Sequence, residues 1–169
     1  MNIILIGMPA SGKSCMGRAL AKPLKMKNID TDRVIEEKTG RKLQDIINED
    51  GLDAFKQIEE DILSSINGDN LIISTGGSAV YYPKAMEHFR KIGVVIYLYT
   101  TLDTIISRLG DFSRRGVALS PGQTVSDLYN ERCALYEKYA HITIDCDGTN
   151  YNKYRDRAIA AIRMYREQR

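Results

Sequence analysis

The apolar run NIILI at residues 2–6 leads straight into GMPASGKS at 7–14. Gly7 and Gly12–Lys13–Ser14 match the pattern GxxxxGK[ST], in which a glycine-rich loop wraps phosphates between a strand and a helix. That order constrains the fold more than any other feature of the chain. The strand must be followed at once by a helix, with Met16, Leu20 and Leu24 as candidate core positions. The amide N–H groups of residues 8 to 14 then point into the loop, and the helix adds its positive N-terminus. Lys13 reaches the β- and γ-phosphates, and the Ser14 hydroxyl ligates magnesium. The alternative, a chance glycine-rich turn, does not account for the strand before it and the helix after it.

The rest of the chain continues the same rhythm. Short apolar segments recur at Ile3–Ile6, Lys27–Asp30, Leu71–Ser74, Val94–Tyr99 and Ile142–Asp145. Helical patterns lie between them. Leu52, Phe55, Ile58, Ile62, Leu63 and Ile66 share one 3.6-period face, Pro83 opens a helix that Gly93 closes, and Thr101 precedes another carrying Ile105 and Leu109. Further helices are expected over Ser126–Ala140 and roughly Lys153–Arg166. Strands alternating with helices imply βαβ units and a parallel sheet. The 169 residues suit one domain with a single core. Residues 110–124, GDFSRRGVALSPGQT, form a long Gly-, Ser- and Pro-rich segment that reads as a lid or a disordered loop.

Composition removes several classes of function. A net charge of +2 with dispersed Lys and Arg gives no nucleic-acid footprint or membrane-binding surface. No apolar stretch approaches the roughly 20 residues that span a bilayer, and no secretory signal is visible at the N-terminus. Cys15, Cys133 and Cys146 are odd in number and widely spaced, which argues against a disulfide framework or a zinc site. A cytoplasmic location is expected. A GTPase would need a base-reading NKxD segment, and NKYRD at 152–156 has the wrong spacing. DCDG at 145–148 comes too late for a switch, and a motor needs a larger domain. A compact small-molecule kinase remains, with an acceptor held beside the terminal phosphate.

Several residues suit that acceptor side. Asp30 and Asp32 lie two apart at a strand end, where i and i+2 side chains point the same way. One can serve magnesium and the other an acceptor hydroxyl; alternatively, one of them caps the next helix. STGGSAV at 74–80 ends a strand on two glycines, which allow close approach of a ligand to the backbone, unless this is an ordinary turn. Arg132 falls by i+4 spacing on the stripe of Leu128, Leu135 and Tyr139. An arginine facing inward there pairs with a carboxylate or phosphate, or forms a structural ion pair. Lys56 has Glu59 one turn on, a spacing that also fits a plain surface pair. Arg114 and Arg115 sit in the long segment, as closing cations or as a solvated turn. His88 and His141 have no partner pattern and are read as structural.

Taken together, these motifs resemble the shikimate kinase family, and the resemblance runs over essentially the whole chain. It implies a three-layer α/β/α fold with a five-stranded parallel sheet in the order 2-3-1-4-5, an acceptor-binding segment at about 31–66 and a mobile lid at about 110–124. It implies ATP and Mg2+ as cofactors and a small-molecule acid, shikimate, as substrate. The nucleotide set becomes Gly7, Ala10, Ser11, Gly12, Lys13, Ser14 and Cys15, with Arg108 of SRLGD near the adenine and Arg115 in the lid. Ser14 and Asp30 form the metal side. Asp32, Lys56 of FKQIE, Gly76, Gly77, Ser78 and Arg132 of NERCALY form the substrate side, with Lys13, Asp32 and Arg115 as the catalytic groups. The chain departs from the family pattern at Lys56, where arginine is usual, at Ser78 in place of a third glycine, in the lid sequence RGVAL and at Cys133, where proline is common. A monomer is expected. The alternatives left open are the same chemistry on another small hydroxy acid or polyol, and a non-catalytic nucleotide-binding module.

Overall fold

The computed structural model describes residues 1–110, 121–148 and 150–168. Five strands, β1 (Asn2–Ile6), β2 (Lys27–Asp30), β3 (Leu71–Ser74), β4 (Gly93–Tyr99) and β5 (Ile142–Asp145), form one parallel sheet in the order β2-β3-β1-β4-β5. Strand β1 is central: Ile4 is in register with Ile73 on one side and with Val95 on the other. A central parallel strand is covered on both faces, so it reads as a continuous apolar run rather than an alternation. All of Ile3, Ile4, Leu5 and Ile6 are fully buried.

Because successive side chains point to opposite faces, those four residues divide between two cores. Ile4 and Ile6 pack with Ile73, Val95 and Tyr97 against Leu63, Met86, Phe89 and Tyr136. These partners come from α4 (Leu52–Ser64), α5 (Pro83–Ile92) and α7 (Val125–Tyr139). Ile3 and Leu5 pack with Ile72, Val94 and Ile96 against Met16 and Leu20 of α1 (Lys13–Leu24) and Ala158 and Ile162 of α8 (Tyr151–Glu167). The result is three layers. Among the described residues, no helix is long and apolar enough to cross a membrane.

Most expected boundaries hold to within a residue or two, and local chemistry explains them. Pro83 opens α5. The Thr101 hydroxyl accepts from the Thr104 N–H at the start of α6 (Leu102–Leu109). Thr124 and Asp127 form a reciprocal capping box that starts α7. Asn150 caps α8, which therefore begins earlier than the apolar pattern suggests. The acceptor segment folds as α2 (Thr31–Thr39) and α3 (Leu43–Asp50) followed by α4.

Two expectations need correction. On α7 the buried stripe is Leu128, Arg132, Tyr136 and Tyr139; Leu135 is half-buried and Tyr136 takes the inward place. On α4, Leu52 is 43% exposed: it is the first residue of the helix, and its neighbours Gly51 and Asp53 are exposed as well.

Candidate active site

The phosphate loop is a backbone device. After Ile6 the chain turns through Gly7 (φ 151°), Ala10 (φ 63°) and Gly12 (φ 95°) before α1 begins. A Cβ on Gly7 would stand 2.8 Å from both the Leu98 carbonyl oxygen and the Ser11 hydroxyl, so no larger residue fits there. Ala10 holds a left-handed conformation that L-residues adopt at a cost of about 1 kcal/mol or more. The first turn of α1 has no side-chain cap and no acidic residue. Its amide N–H groups are left for an anion, with the helix dipole in support.

Lys13 opens α1 and folds back over the loop. Its ammonium donates to the carbonyls of Gly7 at 2.7 Å and Met8 at 2.8 Å. Burial lowers its pKa to about 8, partly offset by the Asp32 carboxylate, while the Arg132 guanidinium pushes it further down. Beside it, the Ser14 hydroxyl donates to Asp30 Oδ2 at 2.8 Å. Asp30 Oδ1 accepts from the Asp32 N–H at 3.1 Å and so caps α2. The capping alternative for one of the two aspartates is thus realised in Asp30, alongside its contact with Ser14.

A cavity of about 580 Å³ opens next to the loop, lined among others by Ala10, Ser11, Gly12, Cys15, Arg108 and Tyr151. The Ser11 hydroxyl is buried there without a hydrogen-bond partner among the described residues. Arg108 spans the cavity wall: it donates to the carbonyls of Ala10 (3.3 Å), Cys146 (3.2 Å) and Gly148 (3.0 Å). It therefore ties the phosphate loop to the turn between β5 and α8. Cys15 is exposed at the cavity edge. Arg114 and Arg115 lie outside the described residues.

On the other side of Lys13, four elements meet. Buried Thr31 accepts the Gly76 N–H at 3.2 Å and fixes the end of β3 to the start of α2. A Cβ on Gly76 would stand 3.3 Å from Asp32 Oδ1 and 3.4 Å from Glu59 Oε1, so both carboxylates converge over this glycine. A Cβ on Gly77 would stand 3.0 Å from an Arg132 terminal nitrogen and 2.9 Å from Pro9. The pKa of Asp32 is raised, first by burial and then by the neighbouring Asp30 charge. Arg132 is 8% exposed. It donates to the Tyr81 hydroxyl at 3.4 Å and stacks over the Tyr81 ring. Among the described residues, no carboxylate comes within ion-pair distance of it.

Tyr81 and Tyr82 escape the sequence reading, and Glu59 of FKQIE and Tyr136 of NERCALY are given no role in it. Glu59 is 2% exposed. It accepts from the Tyr82 hydroxyl at 2.6 Å and from the Ser78 hydroxyl at 3.1 and 3.2 Å. Tyr136 donates to the Gly77 carbonyl at 2.7 Å, which fixes the turn from below. A signal for Glu59 exists: it stands i+4 from Phe55 and i−4 from Leu63, a carboxylate on an apolar face, as Arg132 is a cation on one. Lys56 does not pair with Glu59. One residue along a helix is a rotation of about 100°, so Lys56 points outward, half-exposed, with its ammonium 4.0 Å from Asp53.

Comparison with known proteins points to one family. The family model "Shikimate kinase" matches residues 9–163. A shikimate kinase of Clostridium botulinum (strain 657 / Type Ba4) is 36% identical over 170 residues, covering 98% of this chain and 96% of that protein. This chain belongs to the shikimate kinase family. A second member, from Haemophilus influenzae (strain PittEE), is 38% identical over 153 residues, covering 88% of this chain and 85% of its own length. Among solved structures, the shikimate kinase of Acinetobacter baumannii in complex with shikimate superposes with a TM-score of 0.81. The two are 31% identical, over 99% of this chain and 94% of that one. The family is one of ATP-dependent phosphotransferases.

Proposed function

We propose that this shikimate kinase family member transfers the γ-phosphoryl group of ATP to a hydroxyl of shikimate. The observation that carries this reading is Arg132, a guanidinium buried beside the Lys13 ammonium with no described carboxylate in ion-pair range. Two desolvated cations, neither of them in a described ion pair, suit an anionic acceptor next to an anionic donor. The Acinetobacter baumannii relative is a complex with shikimate, a small carboxylic acid bearing hydroxyls, and it supports the same choice.

Each residue then has a distinct task. Lys13 leaves the Gly7 and Met8 carbonyls to hold the transferring phosphoryl, and the loop amides hold the rest of the chain of phosphates. Ser14 and Asp30 present hard oxygen ligands 2.8 Å apart, a donor set that fits Mg2+. Magnesium, when bound there, neutralises charge on the phosphate oxygens. Asp32, with its raised pKa, orients the acceptor hydroxyl and takes its proton. Gly76, Gly77 and Ser78 let the acceptor lie close to the backbone, and Arg132 grips its carboxylate. Lys56 adds charge from the rim. Arg115, by resemblance to the family's lid arginine, adds positive charge over the γ-phosphate. The chain acts as a cytoplasmic monomer in this reading.

A coupled assay of ADP release, with and without shikimate, tests the proposal. Release that depends on shikimate is expected. Release that depends instead on another hydroxy acid would keep the kinase and change its substrate; no release with any acceptor would favour a nucleotide-binding module.

A further inference from the structure

Three side chains of the acceptor wall form a device that the reaction itself does not require. The Glu59 carboxylate lies within the electrostatic reach of Arg132, and in a medium of low dielectric these opposite charges attract strongly. They stand over consecutive residues of one turn, Glu59 over Gly76 and Arg132 over Gly77. Yet they do not pair. The Ser78 hydroxyl donates to both Glu59 oxygens, and the Tyr82 hydroxyl donates to Oε2 at 2.6 Å. Glu59 is thus held by two neutral donors rather than by the cation beside it.

We propose that Ser78 and Tyr82 are specificity-determining positioning residues that keep Glu59 off Arg132, so that the guanidinium stays open for the acceptor's carboxylate. Ser78 does this from a place where the family pattern has glycine, which carries no hydroxyl. The proposal rests on the reading that Arg132 binds that carboxylate. Freed from both hydroxyls, Glu59 would close on Arg132 and act as an internal competitor. An acceptor then binds only the open fraction, and its apparent affinity falls in proportion. A pair closed for about nine-tenths of the time raises the acceptor KM about tenfold.

The test uses Ser78→Ala with Tyr82→Phe, which remove both hydroxyls and little volume. In the crystal structure of the ligand-free double variant, a Glu59 oxygen is expected within about 4 Å of the Arg132 guanidinium, the range of an ion pair. In steady-state kinetics, the KM for shikimate should rise about tenfold, more than any change in kcat or in the KM for ATP. Adding Glu59→Gln should reverse most of that rise, because an amide cannot neutralise the arginine. A merely structural role for Ser78 and Tyr82 would not be rescued in this way. Should the double variant fail to fold, Ser78→Ala alone is expected to show the same rise and rescue at smaller size. A Glu59 carboxylate that stays clear of Arg132, or a raised KM that Glu59→Gln leaves in place, would overturn the proposal. If the wild-type protein does not phosphorylate shikimate at all, the functional reading fails, and the crystal structure alone decides whether the hydroxyls hold Glu59 away.

Discussion

The two walls of the cleft are built from different material. The wall proposed for the nucleotide is largely main chain: loop amides, the open N-terminus of α1, and carbonyls that engage Lys13 and Arg108. The acceptor wall is side chains, with Asp32 from α2, Glu59 from α4, the turn after β3 and Arg132 from α7. A main-chain site is specified by one contiguous stretch of sequence, because the loop that makes it is local. A side-chain site depends on packing between elements far apart in sequence, and each buried charge in it depends on the others. Damage to the first wall should therefore be felt in ATP handling. Damage to the second should be felt in the acceptor, and should propagate among its members.

The largest expected effects lie where the walls meet. Asp32→Asn should lower kcat by about 10²–10⁴-fold, the range for loss of a general base, while ATP binding changes far less. Comparable small losses in both would return Asp32 to a purely structural role. Lys13→Ala should cost about 10²–10³ in kcat, as for removal of one preorganised charge in a transition state. Its thermal stability should not fall, since burial desolvates Lys13 and its hydrogen bonds to described residues go to the Gly7 and Met8 carbonyls. Normal turnover by that variant would remove the phosphate loop from the account.

Arg132→Met sharpens the acceptor side. Loss of a charge-assisted bond of about 1.5–3 kcal/mol should raise the shikimate KM by about ten- to a hundredfold, with little change for ATP. Lys56→Ala should raise it only a few-fold, because an exposed charge contributes up to about 1 kcal/mol. Equal penalties for the two would mean that Lys56 swings in from the rim when acceptor binds.

The nucleotide wall has its own signature in pH. Lys13, lowered to about 8 by burial, is protonated in the free protein below that value and neutral above it. Phosphate binds the protonated form, so above pH 8 binding must take up a proton. The Kd for ATP should therefore be flat below pH 8 and weaken above it, toward tenfold per pH unit. Calorimetry in buffers of different ionisation enthalpy reads that proton directly. A flat Kd from pH 7 to 9.5 would contradict the burial of Lys13.

The same contrast explains what could be read from the sequence. Gly7, Gly12, Lys13 and Ser14 announce themselves because one loop needs all of them at fixed spacing. The strands are legible because a covered parallel strand is a continuous apolar run, and the Pro83 and Thr101 boundaries follow from capping chemistry. Arg132 was found because a cation on an apolar stripe is anomalous. Glu59 carries the same anomaly, but the nearby Lys56 offers it an apparent surface partner at helical spacing. Tyr81 and Tyr82 leave no such mark, and Tyr136 stands out only as the last residue of the NERCALY motif. A tyrosine on an apolar face is ordinary core until the structure shows where its hydroxyl goes.

The central claim is that both walls serve one transfer, from ATP to shikimate. Phosphorus NMR of a mixture of the protein, ATP, magnesium and shikimate tests it most directly. The γ-phosphate signal should decay while ADP and a new phosphomonoester of shikimate appear in equal amounts. Arg132→Met should slow the formation of both together. ADP appearing with inorganic phosphate and no phosphomonoester, or no reaction unless a different acid is supplied, would contradict it.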